Sequence, residues 1–137
     1  MLVIKHILVL CTGNSCRSIM AEALINALGK GRYEAVSAGS DPTGYVHPKF
    51  IETLKRHDIN IHDLQSKSWD VFADLHFDLV ITVCAAAESC PVFLGQDEKL
   101  HWSTPDPAAA TGTQEDINAA FDEGFNLLKH RIESELL

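Results

Sequence analysis

The sequence has few basic side chains for its length of 137 residues: 11 Lys and Arg against 19 Asp and Glu, a formal net charge of −8. Because a nucleic-acid-binding protein needs a basic face to meet the phosphate backbone, this balance predicts no such partner. No apolar run approaches a membrane span, and MLVIKHILVL continues into a strand without a signal-peptide cleavage pattern. We therefore expect a cytoplasmic protein without a membrane partner, folded as a single domain over residues 1–137.

Cysteine is also too scarce for a disulfide-rich scaffold. The four cysteines form two pairs, Cys11 with Cys16 and Cys84 with Cys90, with four and five intervening residues. In a reducing compartment such cysteines are more often catalytic or metal-binding than structural. Zinc sites usually have tighter spacings, and none of the seven histidines forms a tight pattern with these cysteines. The sequence therefore predicts no metal site.

Apolar strands and helical stripes, by contrast, alternate along the whole chain. Continuous apolar runs predict strands at 6–10, 33–38, 77–83 and 100–102. Apolar residues at helical spacing predict helices over 18–28, from Pro48 onward, and after an N-cap at Thr113. This alternation predicts an α/β three-layer sandwich with a four-stranded parallel sheet. Because ligands bind beyond the carboxyl ends of parallel strands, the loops after 6–10, 77–83 and 100–102 should share one site.

The loop after the first strand, CTGNSCRS at residues 11–18, carries the strongest chemical signal. Gly13 lets the backbone amides turn inward, and the N-terminus of the following helix points at the same place. Arg17 adds a planar fork of donors that suits a tetrahedral oxyanion. The rest of the expected cradle is Thr12, Gly13, Asn14, Ser15 and Cys16. Its positive field favours a thiolate at Cys11, poised to attack the anion. A merely buried cysteine is the weaker alternative, given Gly, Asn, Arg and Ser at these offsets.

The motif extends to CTGNSCRSIMAEAL, and four further segments accompany it: VSAG at 36–39, DLVITVC at 78–84, CPV at 90–92 and HWSTPDPA at 101–108. Together they resemble the low-molecular-weight tyrosine phosphatase superfamily, and most closely its arsenate reductase branch. The resemblance covers nearly the full length of the chain. It implies that Cys11 is the nucleophile, that Arg17 binds the oxyanion, and that Asp106, between Pro105 and Pro107, is the general acid.

The second pair of cysteines favours a reductase over a phosphatase. A phosphatase needs only the loop and the acid, whereas a reductase must pass two electrons onward. The resemblance implies that Cys11 attacks arsenate, that Cys84 then releases arsenite by forming a disulfide with Cys11, and that Cys90 resolves this disulfide. After Pro107, moreover, three alanines stand where the phosphotyrosine phosphatases usually carry an aromatic residue.

We therefore expect an enzyme of arsenical resistance and detoxification. Hydrolysis of phosphotyrosine through a Cys11 phosphoenzyme is the alternative. A third hypothesis is a non-catalytic module that senses an anion or the redox state. Such a module would not require a nucleophile, an anion cradle, an acid and a cysteine relay all at once. Arsenate, or another small tetrahedral oxyanion, is the expected ligand.

The resemblance implies no bound cofactor, because an external thiol reductant would regenerate the relay. Between Cys84 and Cys90 there is one residue fewer than in thioredoxin-coupled members, which leaves thioredoxin and glutathione with glutaredoxin both open. A monomer is expected, since the relay loop must reach its reductant.

Some members of the superfamily also bind potassium near the loop. Asn14, Glu22 and Ser37 match three of its ligands, but Lys67 appears at the fourth position. The Lys67 ammonium could replace the cation, and a solvated surface lysine is an equal alternative. Ser18 is expected to hydrogen-bond the Cys11 thiolate, and Cys16 to be mainly structural.

Overall fold

A computed structural model of the chain describes residues 3–12, 14, 17–59, 64–72, 74–84 and 98–137. Within these ranges the strands are β1 (Lys5–Cys11), β2 (Tyr33–Gly39), β3 (Leu79–Thr82) and β4 (Lys99–His101). The helices are α1 (Arg17–Leu28), α2 (Pro48–Arg56) and α3 (Gln114–Glu135). Short 3-10 turns occupy Trp69–Phe72 and Pro107–Ala109.

The four strands form one parallel sheet in the order β2-β1-β3-β4. The predicted α/β fold with a four-stranded parallel sheet is therefore confirmed. Because β2 lies on one side of β1 and β3 on the other, the strand order switches direction at β1. The carboxyl end of β1 is thus the place where ligands bind in open α/β sheets.

The predicted strands agree with the observed ones to within a residue at each end, apart from the strand predicted at 77–83. That strand is shorter, because regular pairing is confined to Leu79–Thr82. Its flanks keep single hydrogen bonds to β1: the Asp78 N–H donates to the His6 carbonyl at 2.9 Å, and the Val83 N–H donates to the Leu10 carbonyl at 3.1 Å. Hydrophobicity alone could not distinguish these flanks from the strand.

Alternating residues of β1 enter two different apolar clusters, one on each face of the sheet. Ile7 and Val9 pack in the larger cluster with residues of all three helices. Leu8 and Leu10 pack on the other face, where Phe72 and Phe77 cover them. All four β1 side chains are fully buried, which explains the uninterrupted apolar run of this strand.

Local sequence fixes the start of α3. The Thr113 hydroxyl accepts from the Asp116 N–H, the Asp116 carboxylate accepts from the Thr113 N–H, and both distances are 3.1 Å. This capping box confirms the N-cap predicted at Thr113. In the described part of the chain, no helix combines the length and the apolar character needed to cross a membrane.

Candidate active site

Cys11 is the last residue of β1 and lies at the carboxyl edge of the sheet. Its side chain is buried, and its thiol is free. Helix α1 begins at Arg17, six residues further along the chain. The free amides and the dipole at a helix N-terminus favour a bound anion. Of the other predicted members of the cradle, Thr12 and Asn14 are described, whereas Gly13, Ser15 and Cys16 lie outside the described residues.

Asn14 holds the loop after β1 in place through hydrogen bonds of its side chain. Its φ of 46° is left-handed, a conformation that asparagine tolerates better than most residues. The fully buried side-chain amide donates to the Ser18 hydroxyl at 2.8 Å and to the Ser37 hydroxyl at 3.0 Å. The amide oxygen accepts from the Lys67 N–H at 2.8 Å. Asn14 therefore ties the loop to α1, to β2 and to the segment that contains Lys67.

The same network continues to a buried carboxylate. Ser37 donates to Glu22 Oε1 at 2.6 Å, and Lys67 Nζ lies 3.8 Å from that oxygen. Burial raises the pKa of Glu22, while the Ser37 hydrogen bond and the Lys67 charge oppose this rise. The three residues matched to potassium ligands are thus brought together, and the Lys67 ammonium lies beside them.

The loop also rests directly on Gly39, the last residue of β2 and the register partner of Cys11. A Cβ atom on Gly39 would overlap the Thr12 carbonyl oxygen and lie 3.0 Å from Asn14 Cβ. The Thr12 carbonyl is further held by the Asp41 N–H at 2.9 Å. Only glycine permits this close approach of the loop to β2.

Arg17 and Asp106 are brought together although they are far apart in the sequence. Arg17 Nη2 lies 4.0 Å from Asp106 Oδ2, and Arg17 Nη1 donates to the Thr104 carbonyl at 3.0 Å. The Arg17 side chain is 16% exposed, whereas that of Asp106 is 43% exposed. The carboxylate therefore remains accessible to a ligand beside a largely buried guanidinium.

Cys84 follows β3 and is 4% exposed. Its carbonyl accepts from the Thr104 N–H at 3.2 Å, so its backbone adjoins the loop that carries Asp106. Cys84 is disulfide-bonded, whereas Cys11 is a free thiol. The prediction for Cys90 falls outside the described residues.

Two contributors to the site were not predicted from the sequence. Thr104 acts through its backbone carbonyl, which no residue pattern reveals, and Gly39 acts by lacking a side chain. The sequence VSAG did include Gly39, but nothing in it indicated a contact with the loop after β1. Among the described residues no cluster of three or more His, Cys, Asp or Glu side chains could hold a metal ion.

The fold thus places a cysteine, an arginine and an aspartate at the switch point of a parallel sheet, which is where open α/β proteins bind their ligands. Residues 6–136 match the model of the low molecular weight phosphotyrosine protein phosphatase family, and the chain belongs to that family.

The similarity to known proteins extends over most of this chain. The arsenate reductase of Bacillus subtilis (strain 168) is 37% identical over 135 residues, which cover 95% of this chain and 96% of that protein. A solved arsenate reductase in its phosphate-binding state superposes with a TM-score of 0.78 at 29% identity, and 95% of each chain is covered. The thioredoxin-dependent arsenate reductase of Corynebacterium glutamicum superposes with a TM-score of 0.68 at 27% identity, covering 96% of this chain and 61% of the other.

Proposed function

We propose that this protein is an enzyme that reduces arsenate to arsenite, with Cys11 as the nucleophile. The observation that carries this proposal is the free, buried Cys11 thiol at the carboxyl end of β1, together with the Arg17–Asp106 pair. The similarity to arsenate reductases over nearly the whole chain supports arsenate as the substrate.

Arsenate binding requires donors that match a tetrahedral anion. Arg17 supplies a planar fork of N–H groups, and the amides of the loop and of the α1 N-terminus supply the rest. The Cys11 thiolate forms a bond to arsenic and displaces one oxygen, which Asp106 protonates as it leaves. The exposure of the Asp106 carboxylate is consistent with its donating a proton to a ligand held by Arg17.

Reduction follows in a second step. The Cys84 thiolate attacks the Cys11 sulfur, the Cys11–arsenic bond breaks, and its electron pair stays on arsenic, which is released as arsenite. Cys90 then attacks Cys84, which frees Cys11 and leaves a Cys84–Cys90 disulfide. Arsenic gains two electrons and two thiols lose them, so the step is balanced. The disulfide state of Cys84 and the free thiol of Cys11 are consistent with the state after this transfer.

An external dithiol must then reduce the disulfide. The relative from Corynebacterium glutamicum is thioredoxin-dependent, which supports thioredoxin over glutathione and glutaredoxin as the reductant here. The two systems can be distinguished by supplying each with its own NADPH-dependent reductase and measuring arsenate-dependent NADPH oxidation.

Lys67 is proposed to take the place of a potassium ion beneath the loop. Its ammonium lies 3.8 Å from the buried Glu22 carboxylate and supplies a positive charge where the cation would otherwise bind. The KM for arsenate should therefore not change when potassium is replaced by sodium at constant ionic strength. A KM that depends on potassium would contradict this role for Lys67.

The decisive experiment compares Cys90→Ser with Cys16→Ser. With arsenate and a thioredoxin system, C90S should release about one equivalent of arsenite per enzyme and then stop, because the Cys11–Cys84 disulfide is not resolved. C16S is the matched control and should turn over continuously, because residue 16 is expected to contribute only its backbone amide to the cradle and serine keeps that amide. Arsenate-independent hydrolysis of an aryl phosphate, with no arsenate reduction and no effect of C90S, would instead establish a phosphatase.

A further inference from the structure

Thr104 lies two residues before Asp106, is fully buried, and has all three of its polar groups engaged. Its hydroxyl donates to the Trp102 carbonyl at 2.8 Å, and its N–H donates to the Cys84 carbonyl at 3.2 Å. Its own carbonyl accepts from Arg17 Nη1 at 3.0 Å. A single residue thus connects the end of β3 to the arginine that follows the loop.

We infer that Thr104 is a positioning residue, which fixes the guanidinium of Arg17 for oxyanion binding. This inference rests on the proposed role of Arg17. A guanidinium has five N–H donors in one plane. The Thr104 carbonyl engages Nη1, and Asp106 lies 4.0 Å from Nη2, so these two contacts restrict the rotation of the guanidinium while the other donors remain for an anion.

The side chain of Thr104 matters because it sets the direction of its own carbonyl. Any residue at this position has a carbonyl group, but the hydroxyl bond to Trp102 closes a local turn that holds this one toward Arg17. Thr104→Val removes the hydroxyl and nearly preserves the volume. Thr104→Ser keeps the hydroxyl and loses only a methyl group, and it is therefore the matched control.

Calorimetric binding of inorganic phosphate to the full chain tests the inference without requiring turnover. T104V removes the hydroxyl bond to Trp102, and the freed Thr104 carbonyl should then no longer hold Arg17. Phosphate binding should weaken about tenfold, the factor expected when this hydrogen bond to the charged guanidinium is lost. T104S should retain the wild-type affinity within about twofold, the precision with which single contacts can be compared. T104A, which also lacks the hydroxyl, provides the same readout if T104V does not fold.

The double variant R17Q/T104V shows whether Thr104 acts through Arg17. If it does, T104V should weaken binding by less than about twofold in the R17Q background, because the group that it positions is already absent. Independent losses in the double variant would overturn the inference, as would a T104V protein with a lower Tm and unchanged phosphate affinity. An R17Q protein that binds phosphate like the wild type would instead refute the proposed role of Arg17.

Discussion

Replacing Gly39 by Ala would push Thr12 and Asn14, which lie in the loop after β1, away from β2. The new Cβ would overlap the Thr12 carbonyl oxygen and lie 3.0 Å from Asn14 Cβ and 3.1 Å from Asn14 N. Gly39 cannot easily retreat, since its N–H donates to the Lys67 carbonyl at 2.9 Å and it pairs with Cys11 in the sheet. The loop must therefore move.

The size of the effect follows from this overlap. Overpacking of a well-packed site typically costs about 1–3 kcal/mol, which we expect as the loss in the free energy of unfolding. A reacting group displaced by about 1 Å can lose about a hundredfold in rate, and Cys11 and Arg17 lie at the two ends of the displaced loop. A hundredfold loss in rate corresponds to about 2.7 kcal/mol, which is similar to the expected loss of stability. Because native domains are stable by about 5–15 kcal/mol, G39A should remain folded and lose about a hundredfold in arsenate-reducing activity.

Gly124 of α3 provides the matched control for this substitution. A Cβ at Gly124 would lie 3.7 Å from Pro107 Cγ, which is an ordinary van der Waals contact. Because glycine weakens a helix interior, G124A should raise the free energy of unfolding by about 0.5–1 kcal/mol and leave turnover unchanged. Denaturant unfolding measures stability, calorimetry measures phosphate affinity, and arsenate-dependent NADPH oxidation measures turnover. A G39A protein with wild-type phosphate affinity and turnover would refute the tight seating of the loop.

Substitutions at three further positions test other contacts. The folded-state pKa of Glu22 is raised above 4.5, so the wild type should lose stability relative to E22Q as the pH rises above that value. A difference in the free energy of unfolding between the two proteins that does not change with pH would contradict this. Burial raises the pKa of Asp122, but the hydrogen bonds from Arg56 and His57 outweigh it and lower the pKa below 3.8. D122N should therefore cost up to about 1 kcal/mol at neutral pH, and this difference should vanish as the pH falls through the folded-state pKa. N14A should lower the Tm and the phosphate affinity together. N14G should be more stable than N14A by about 1 kcal/mol, because residue 14 has a positive φ and glycine accepts it. Equal stability of N14G and N14A would show that the backbone carries no strain at this position.

Much of the fold follows from local sequence. The apolar run of β1, the capping box of α3 and the cysteine-to-arginine spacing are all patterns within a few residues. The strand boundaries around β3 were less predictable, because Phe77 and Val83 are buried like strand residues but do not take part in regular pairing. Burial and pairing are separate properties, and hydrophobicity reports only the first.

The sequence by itself determined that strands and helices alternate along the chain. It also determined that Cys11 and Arg17 lie between the first strand and the first helix. Only the tertiary structure decided how the loop between them is held. Arg17 contacts Thr104 across 87 positions of the chain, and the loop is seated on Gly39 and tied to the backbone of Lys67. The physical reason is that periodicity encodes which residues are buried, whereas a backbone carbonyl or a missing Cβ acquires its role only when distant segments pack against it.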